Sequence, residues 1–142
     1  MSERASSGTA RRIALAWLPA IAYMALIWLL SSGPVSFPLD SVPFKDKGAH
    51  VIEYGTLAVL GAYAVLRSWP GLSLLRGLIY AALLTFAWGF LDELHQGFVP
   101  GRNSDAFDLL ADSIGAVVGV ACFAALTRLR RFALLRGTPP QT

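Results

Sequence analysis

Between Ile13 and Leu39 the chain carries no charged side chain, and from Ile13 to Leu30 nearly every residue is apolar. A helix of about 20 such residues spans the hydrocarbon core of a bilayer. This stretch therefore predicts a transmembrane helix and restricts everything that follows to folds that live in lipid. Its apolar part is longer than the h-region of a secretory signal peptide, and further apolar segments come after it, so it reads as a first span rather than a cleaved leader. Composition agrees: 55% of the 142 residues are hydrophobic and 15% are charged, against about 25% charged in an ordinary soluble domain.

Three more segments have the length and character of spans: Ala49 to Leu66, Leu75 to Leu91, and Asp108 to Thr127. Irregular backbone in lipid leaves amide groups unsatisfied, so each is expected to be helical. The expected fold is all-α, an integral membrane bundle of four transmembrane helices. Residues 32–47, with three prolines, read as an irregular surface segment; SWPGLS reads as a tight turn, and Pro100 and Gly101 as a second turn beside Arg102. The sequence after Arg136 is rich in Gly and Pro and is expected to fray. Cys122 is the sole cysteine, which excludes an intrachain disulfide, and its place in an apolar run suits a small packing residue.

Charge orients the bundle. Nine arginines and Glu3 fall before the first span, around the second turn and after the fourth span, a formal +8; Lys45, Lys47, Arg102 and eight carboxylates fall at the other end, a formal −5. The positive-inside rule puts the arginine-rich end, and with it both termini, in the cytoplasm. The expected organisation is a basic cytoplasmic segment (1–12), a four-helix membrane domain (13–127) and a basic cytoplasmic tail (128–142). The predicted location is a cell membrane, multi-pass, of the bacterial cytoplasmic type. Basicity of this kind anchors a protein to anionic lipid, and the chain has no aromatic platform or polar basic groove for nucleic acid.

The same topology gathers three polar islands at the opposite end. DKGAHVIEY opens the second span, DELHQ closes the third, and SDAFDLLAD opens the fourth. His50 lies three residues before Glu53 and four before Tyr54, so the three share a helical face. Asp92 is similarly spaced from His95 and Gln96, with Glu93 about 100° round the helix. Asp108 and Asp112 share a face and repel there. A structural reading treats these groups as caps and solvated helix ends, yet acidic groups at the C-terminus of the third span oppose its dipole, and Arg102 is the expected neighbour that makes them tolerable. Asp112 lies at least a turn deep, where an unpaired charge costs roughly 2.5–3.5 kcal/mol at mid-membrane and less near the interface. It is expected to be protonated, paired with Lys47, His50 or Arg102, or bound to a cation. Gly115 and Gly119, with Gly61 and Gly89 on other helices, are assigned to close helix packing.

No H-E-x-x-H, G-x-S-x-G or Walker-type loop occurs. Asp92 and His95 with Glu53 or Asp108 make a weak divalent-metal pattern without fixed spacing, so no metal or other cofactor is predicted. Four spans leave little room for an alternating-access transporter in a monomer.

Lys47, His50 and Tyr54 at the second span, the exit Asp92, Glu93, His95, Gln96, Phe98, Pro100, Gly101, Arg102 and Asp105, and the opening Asp108, Gly115 and Gly119 of the fourth resemble the VanZ-like membrane proteins, named after a teicoplanin resistance protein. The resemblance covers about Lys45 to Gly119. Asp112 departs from it, standing where asparagine is usual in the family.

The residues predict a headgroup site for an envelope lipid or cell-wall precursor at the outer face, linked through the resemblance to glycopeptide (teicoplanin) resistance. Its expected residues are Lys47, His50, Glu53, Tyr54, Asp92, Gln96, Arg102, Asp105, Asp108 and Asp112. Arg102, and secondarily Lys47, would hold phosphate or carboxylate oxygens, because a guanidinium fork matches planar oxygen pairs. Two alternatives stand beside this. One is a hydrolase or transferase with His95 or Glu93 as base; the other is a non-catalytic subunit that docks a membrane-protein partner. Whether the protein is an enzyme is left open.

Overall fold

The computed structural model describes residues 2–33, 45–102 and 104–136. They form four helices: α1 (Ser2–Ser31), α2 (Lys45–Ser68), α3 (Leu74–Gln96) and α4 (Ala106–Arg136). Most of the predicted surface segment between the first two spans, and the tail after Arg136, lie outside the described residues.

Each helix contains a span: Gly8–Ser31, Lys47–Ser68, Leu74–Gln96 and Ala106–Leu134, of 24, 22, 23 and 29 residues. At a rise of about 1.5 Å per residue these exceed the ~30 Å hydrocarbon core. Two helices run further than hydropathy alone indicates. α4 continues through Thr127 to Arg136, because TRLRRFALLR holds good helix formers and no Gly or Pro. α1 starts at Ser2, well before the apolar run.

The turns follow from their sequences. Leu72 N–H donates to the Trp69 carbonyl across Pro70 and Gly71 (2.9 Å), and the Ser73 hydroxyl caps α3 by accepting from Arg76 N–H (3.4 Å). Arg102 N–H donates to the Val99 carbonyl (3.1 Å) across Pro100 and Gly101, and Gly101 has φ 83°. Proline followed by a positive-φ glycine is the pattern of a type II turn.

The bundle is inside-out by soluble standards. Its buried apolar residues are mostly alanines: Ala16, Ala20, Ala58, Ala62, Ala81 and Ala116 among them. Leu18, Leu29, Leu75, Leu83, Val117 and Leu129 are exposed, as is Cys122, which faces outward rather than packing inside. An exterior this apolar suits hydrocarbon, where helices associate by close packing and not by expelling grease from water. The protein is a multi-pass membrane protein.

α2 is central and packs on all three other helices; α4 lies on α2 and α3, while α1 lies on α2 and briefly on α3. The tightest seam joins α2 to α4. A Cβ on Gly115 would stand 2.5 Å from the Val51 carbonyl oxygen and 3.0 Å from Gly55 N, and one on Gly119 would collide with the Gly55 carbonyl. Backbone therefore meets backbone, as assigned from the GxxxG spacing. Near the polar end, Ile27, Tyr54 and Leu57 form a core with Tyr23, Met24 and Trp88 against it. At the arginine-rich end, Trp17 Nε1 donates to Ser68 Oγ (2.8 Å) and ties α1 to the end of α2.

Overpacking this seam should be costly. Gly115→Ala is expected to lower stability in detergent by about 1–3 kcal/mol, whereas Gly48→Ala, with nothing within 4 Å of the added methyl, should be close to neutral; thermal or denaturant unfolding of both checks this.

Candidate functional site

The end of α1, the start of α2, the end of α3 and the start of α4 meet at one end of the bundle, joined by side-chain hydrogen bonds. At its centre Asp92 on α3 is 2% exposed and has three donors. Ser31 Oγ on α1 donates to Oδ1 (2.5 Å), Tyr54 Oη on α2 donates to Oδ2 (3.3 Å), and Gln96 Nε2 donates to Oδ2 (3.0 Å). Ser31 Oγ also lies near the carbonyls of Ile27 and Trp28. A hydroxyl has one proton, and the carboxylate is the stronger acceptor. A buried acid is thus satisfied without a cation, by groups from three helices.

Glu93, 4% exposed, reaches the start of α4. Its Oε2 accepts from Asp105 N–H (2.9 Å) and Ser104 Oγ (3.2 Å). Asp105 caps α4, its Oδ1 accepting from Phe107 N–H (2.9 Å). Lys47 on α2 donates to Asp105 Oδ2 (2.7 Å) and to Asp108 Oδ1, and this bond to Lys47 holds the Asp105 carboxyl below the usual range. Asp112, 1% exposed, pairs with His50: Nδ1 and Oδ1 are 2.8 Å apart, and His50 Nε2 lies 3.9 Å from Asp108 Oδ1. Gly89 makes room for this pair, since a Cβ there would be 2.9 Å from Asp112 Oδ2 and 3.0 Å from Tyr54 Cε1.

Arg102 does something different from the expectation. It does not neutralise Asp92 or Glu93. Its Nε donates to the Gly33 carbonyl (3.1 Å), Nη2 to the Leu30 carbonyl (3.1 Å) and Nη1 to Gln96 Oε1 (3.3 Å). The guanidinium closes off the C-terminal carbonyls of α1, which lack partners within the helix, and steadies the Gln96 that feeds Asp92. The acidic exit of α3 is tolerated for another reason: neutral donors surround Asp92, and the start of α4 serves Glu93.

His95 is also set apart. Its ring stacks on Trp28 with centroids 3.9 Å apart, and its Nδ1 is buried without a hydrogen bond. The i to i+3 spacing to Asp92 produces no hydrogen bond, and His95 and Glu93 make contacts in different directions. Glu53 is half-buried with no hydrogen bond or ion pair to the described residues, though it lies in electrostatic range of His50, Asp92 and Arg102. Tyr54 stacks parallel to His50, centroids 6.3 Å apart, as the shared face implied.

A protein-family model described as VanZ/LLP1 matches residues 10–128. The chain belongs to the VanZ/LLP1 family. No curated protein and no solved structure matches the chain. The VanZ/LLP1 match spans all four helices, so the whole polar end lies within the family domain.

Sequence reasoning did not single out Ser31 or Ser104, and it marked Gly89 for helix packing without the space it leaves to Asp112. Ser31 stood at the polar edge of an apolar run, the one signal that could have marked it as a donor. The grouping of His50, Glu93 and Asp112 was also missed: one donor atom from each lies within 4.8 Å of the others, although the three come from different helices. At the opposite end a separate groove of about 420 Å³ is lined by Arg67, Arg130 and Arg131 with Tyr63, Leu66 and Phe123; it shares no residue with the acidic cluster.

Two measurements test this network. Asp92→Ala strands three donors and should cost about 3 kcal/mol, with Asp92→Asn costing less because one acceptor survives; unfolding in detergent gives both values. Asp105→Asn keeps the cap but removes the charge facing Lys47. The folded carboxyl titrates below its unfolded value, so its contribution is present above about pH 3.9 and fades as pH falls through the lowered value. The stability gap between wild type and Asp105→Asn should accordingly be steady near neutrality and close in strong acid.

Proposed function

We propose that the polar end faces the outer leaflet and recognises the headgroup of an envelope lipid or cell-wall precursor. The observation that carries this is the convergence of Lys47, His50, Glu53, Arg102, Asp105 and Asp108 at one end of a helix bundle whose flanks are apolar. Charged groups in membrane helices that line one mouth of a bundle are functional-site candidates by their cost alone. The uneven charge, +8 at one end and −5 at the other, supports cytoplasmic termini. In this reading Lys47 and the uncommitted N–H groups of Arg102 hold phosphate or carboxylate oxygens, and Glu53 and Asp108 accept hydroxyl or ammonium hydrogens. Altered tolerance to teicoplanin would follow if the ligand were a cell-wall precursor.

Recognition is favoured over hydrolysis or group transfer because Glu93 and His95, the expected bases, do not meet at one centre. Docking of a membrane-protein partner is the other reading. Phe98 and Phe107, exposed at the rim of the site, speak for it, and copurification in mild detergent separates it from a self-sufficient site.

Labelled envelope lipid should bind the reconstituted protein, and Lys47→Ala and Arg102→Ala should each weaken binding about tenfold, or ~1.4 kcal/mol. Equal binding by the wild type and both variants sinks the assignment. Orientation is tested in a Cys122→Ser background: an impermeant maleimide added outside cells should label Val99→Cys and spare Arg131→Cys, and the reverse pattern would invert the topology.

A further inference from the structure

We infer that His50, Glu93 and Asp112 form a binding site for one divalent transition-metal ion, between α2, α3 and α4. The inference goes beyond the headgroup reading and does not depend on it. One donor atom from each residue lies within 4.8 Å of the other two, and an imidazole with two carboxylates is a donor set that suits Mn²⁺, Fe²⁺ or Zn²⁺.

A second observation points to a ligand. Glu93 Oε1 and Asp112 Oδ2 are both buried with no hydrogen-bond partner, on side chains whose residues are 4% and 1% exposed. The other oxygen of each acid is already engaged: Glu93 Oε2 by Asp105 N–H and Ser104 Oγ, Asp112 Oδ1 by His50 Nδ1. Each acid is therefore held in place by one oxygen and carries a second that is buried and unpartnered. An orphaned carboxylate oxygen in a low-dielectric interior is expensive, and a cation removes that cost. Asp92, the neighbouring buried acid, has no orphaned oxygen and makes the contrast: its donors are complete, and it needs no ion.

Charge points the same way. Among the described residues, Glu53, Asp92, Glu93, Asp105, Asp108 and Asp112 face only Lys47, Arg102 and, when protonated, His50. Lys47 is taken up with Asp105 and Asp108, and Arg102 with α1 carbonyls and Gln96. No fixed cation of the described residues bonds to Glu93, and Asp112 has only an imidazole. A divalent ion bound through neutral His50 cancels both carboxylates. Binding through Nδ1 exchanges its hydrogen bond with Asp112 Oδ1 for the metal, which Asp112 then shares as a ligand, and leaves His50 Nε2–H facing Asp108, 3.9 Å away, an outer carboxylate of the kind that commonly orients a ligating histidine. Tetrahedral bonds of about 2.1 Å put ligand atoms about 3.4 Å apart, so small side-chain rotations draw the wider pairs together. Three protein donors leave coordination positions open.

The test uses untagged, full-length protein in detergent, in a Cys122→Ser background to remove the exposed thiol. After chelation and dialysis, Mn²⁺ and Zn²⁺ are titrated by calorimetry, with bound metal counted by mass spectrometry. One equivalent of at least one of the two should bind, and Asp112→Asn and Glu93→Gln should each weaken it tenfold or more. His50 and His95 are the two histidines of the chain, so in His95→Gln any imidazole coupling in the pulsed EPR spectrum of the Mn²⁺-loaded protein comes from His50. That readout needs neither acid variant to fold. Failure of the otherwise intact protein to bind either ion, undiminished binding in either acid variant, or bound Mn²⁺ without an imidazole signal would each overturn the site.

Discussion

A carboxyl group inside a membrane bundle must be handed its hydrogen bonds by the protein, because lipid offers none. Asp92 expresses this most fully. Ser31 brings in the end of α1, Tyr54 brings in α2, and Gln96 supplies a second donor from α3 itself. Without the acid, α1 keeps to α3 through Trp28, which stacks on His95 and meets Trp88, over the short stretch where the two helices touch. Arg102 completes the same joint from the far side of the last turn, by gripping the carbonyls at which α1 ends.

The glycine seam sets where the second charged group falls. Gly115 and Gly119 bring α4 against the backbone of Val51 and Gly55, and His50 and Asp112 are the next polar residues along the two helices. Close backbone contact fixes the register of α2 on α4, and the register fixes the 2.8 Å contact between imidazole and carboxylate. Packing and electrostatics thus act on one interface, with Gly89 of α3 leaving the space that Asp112 occupies. Asp112 stands where an amide is usual in the resemblance noted from sequence; an acid there gains a partner in His50 and keeps an oxygen unsatisfied.

These features divide the molecule into two ends with different chemistry. One is rich in arginine, with a groove that suits association with anionic lipid. The other concentrates acids around a few cations and holds the residues that carry the resemblance to VanZ-like proteins. Headgroup recognition draws on the rim of that end, and the inferred metal position adds the buried Glu93 and Asp112 to His50, which the two share.

The number of helices, their approximate limits and the gathering of the polar islands were all legible in the sequence, because hydropathy and span count are one-dimensional properties that lipid enforces strictly. Helix spacing also placed His50 beside Tyr54, and the GxxxG step was rightly read as a packing face. The sequence could not say that Arg102 would turn to α1 instead of the acids, that His95 would lie on Trp28, or that Glu93 would serve the start of α4. Those outcomes depend on how far each helix is rotated about its axis, which close packing between residues distant in the chain determines. Periodicity tells which residues share a face; only the assembled bundle decides what that face meets.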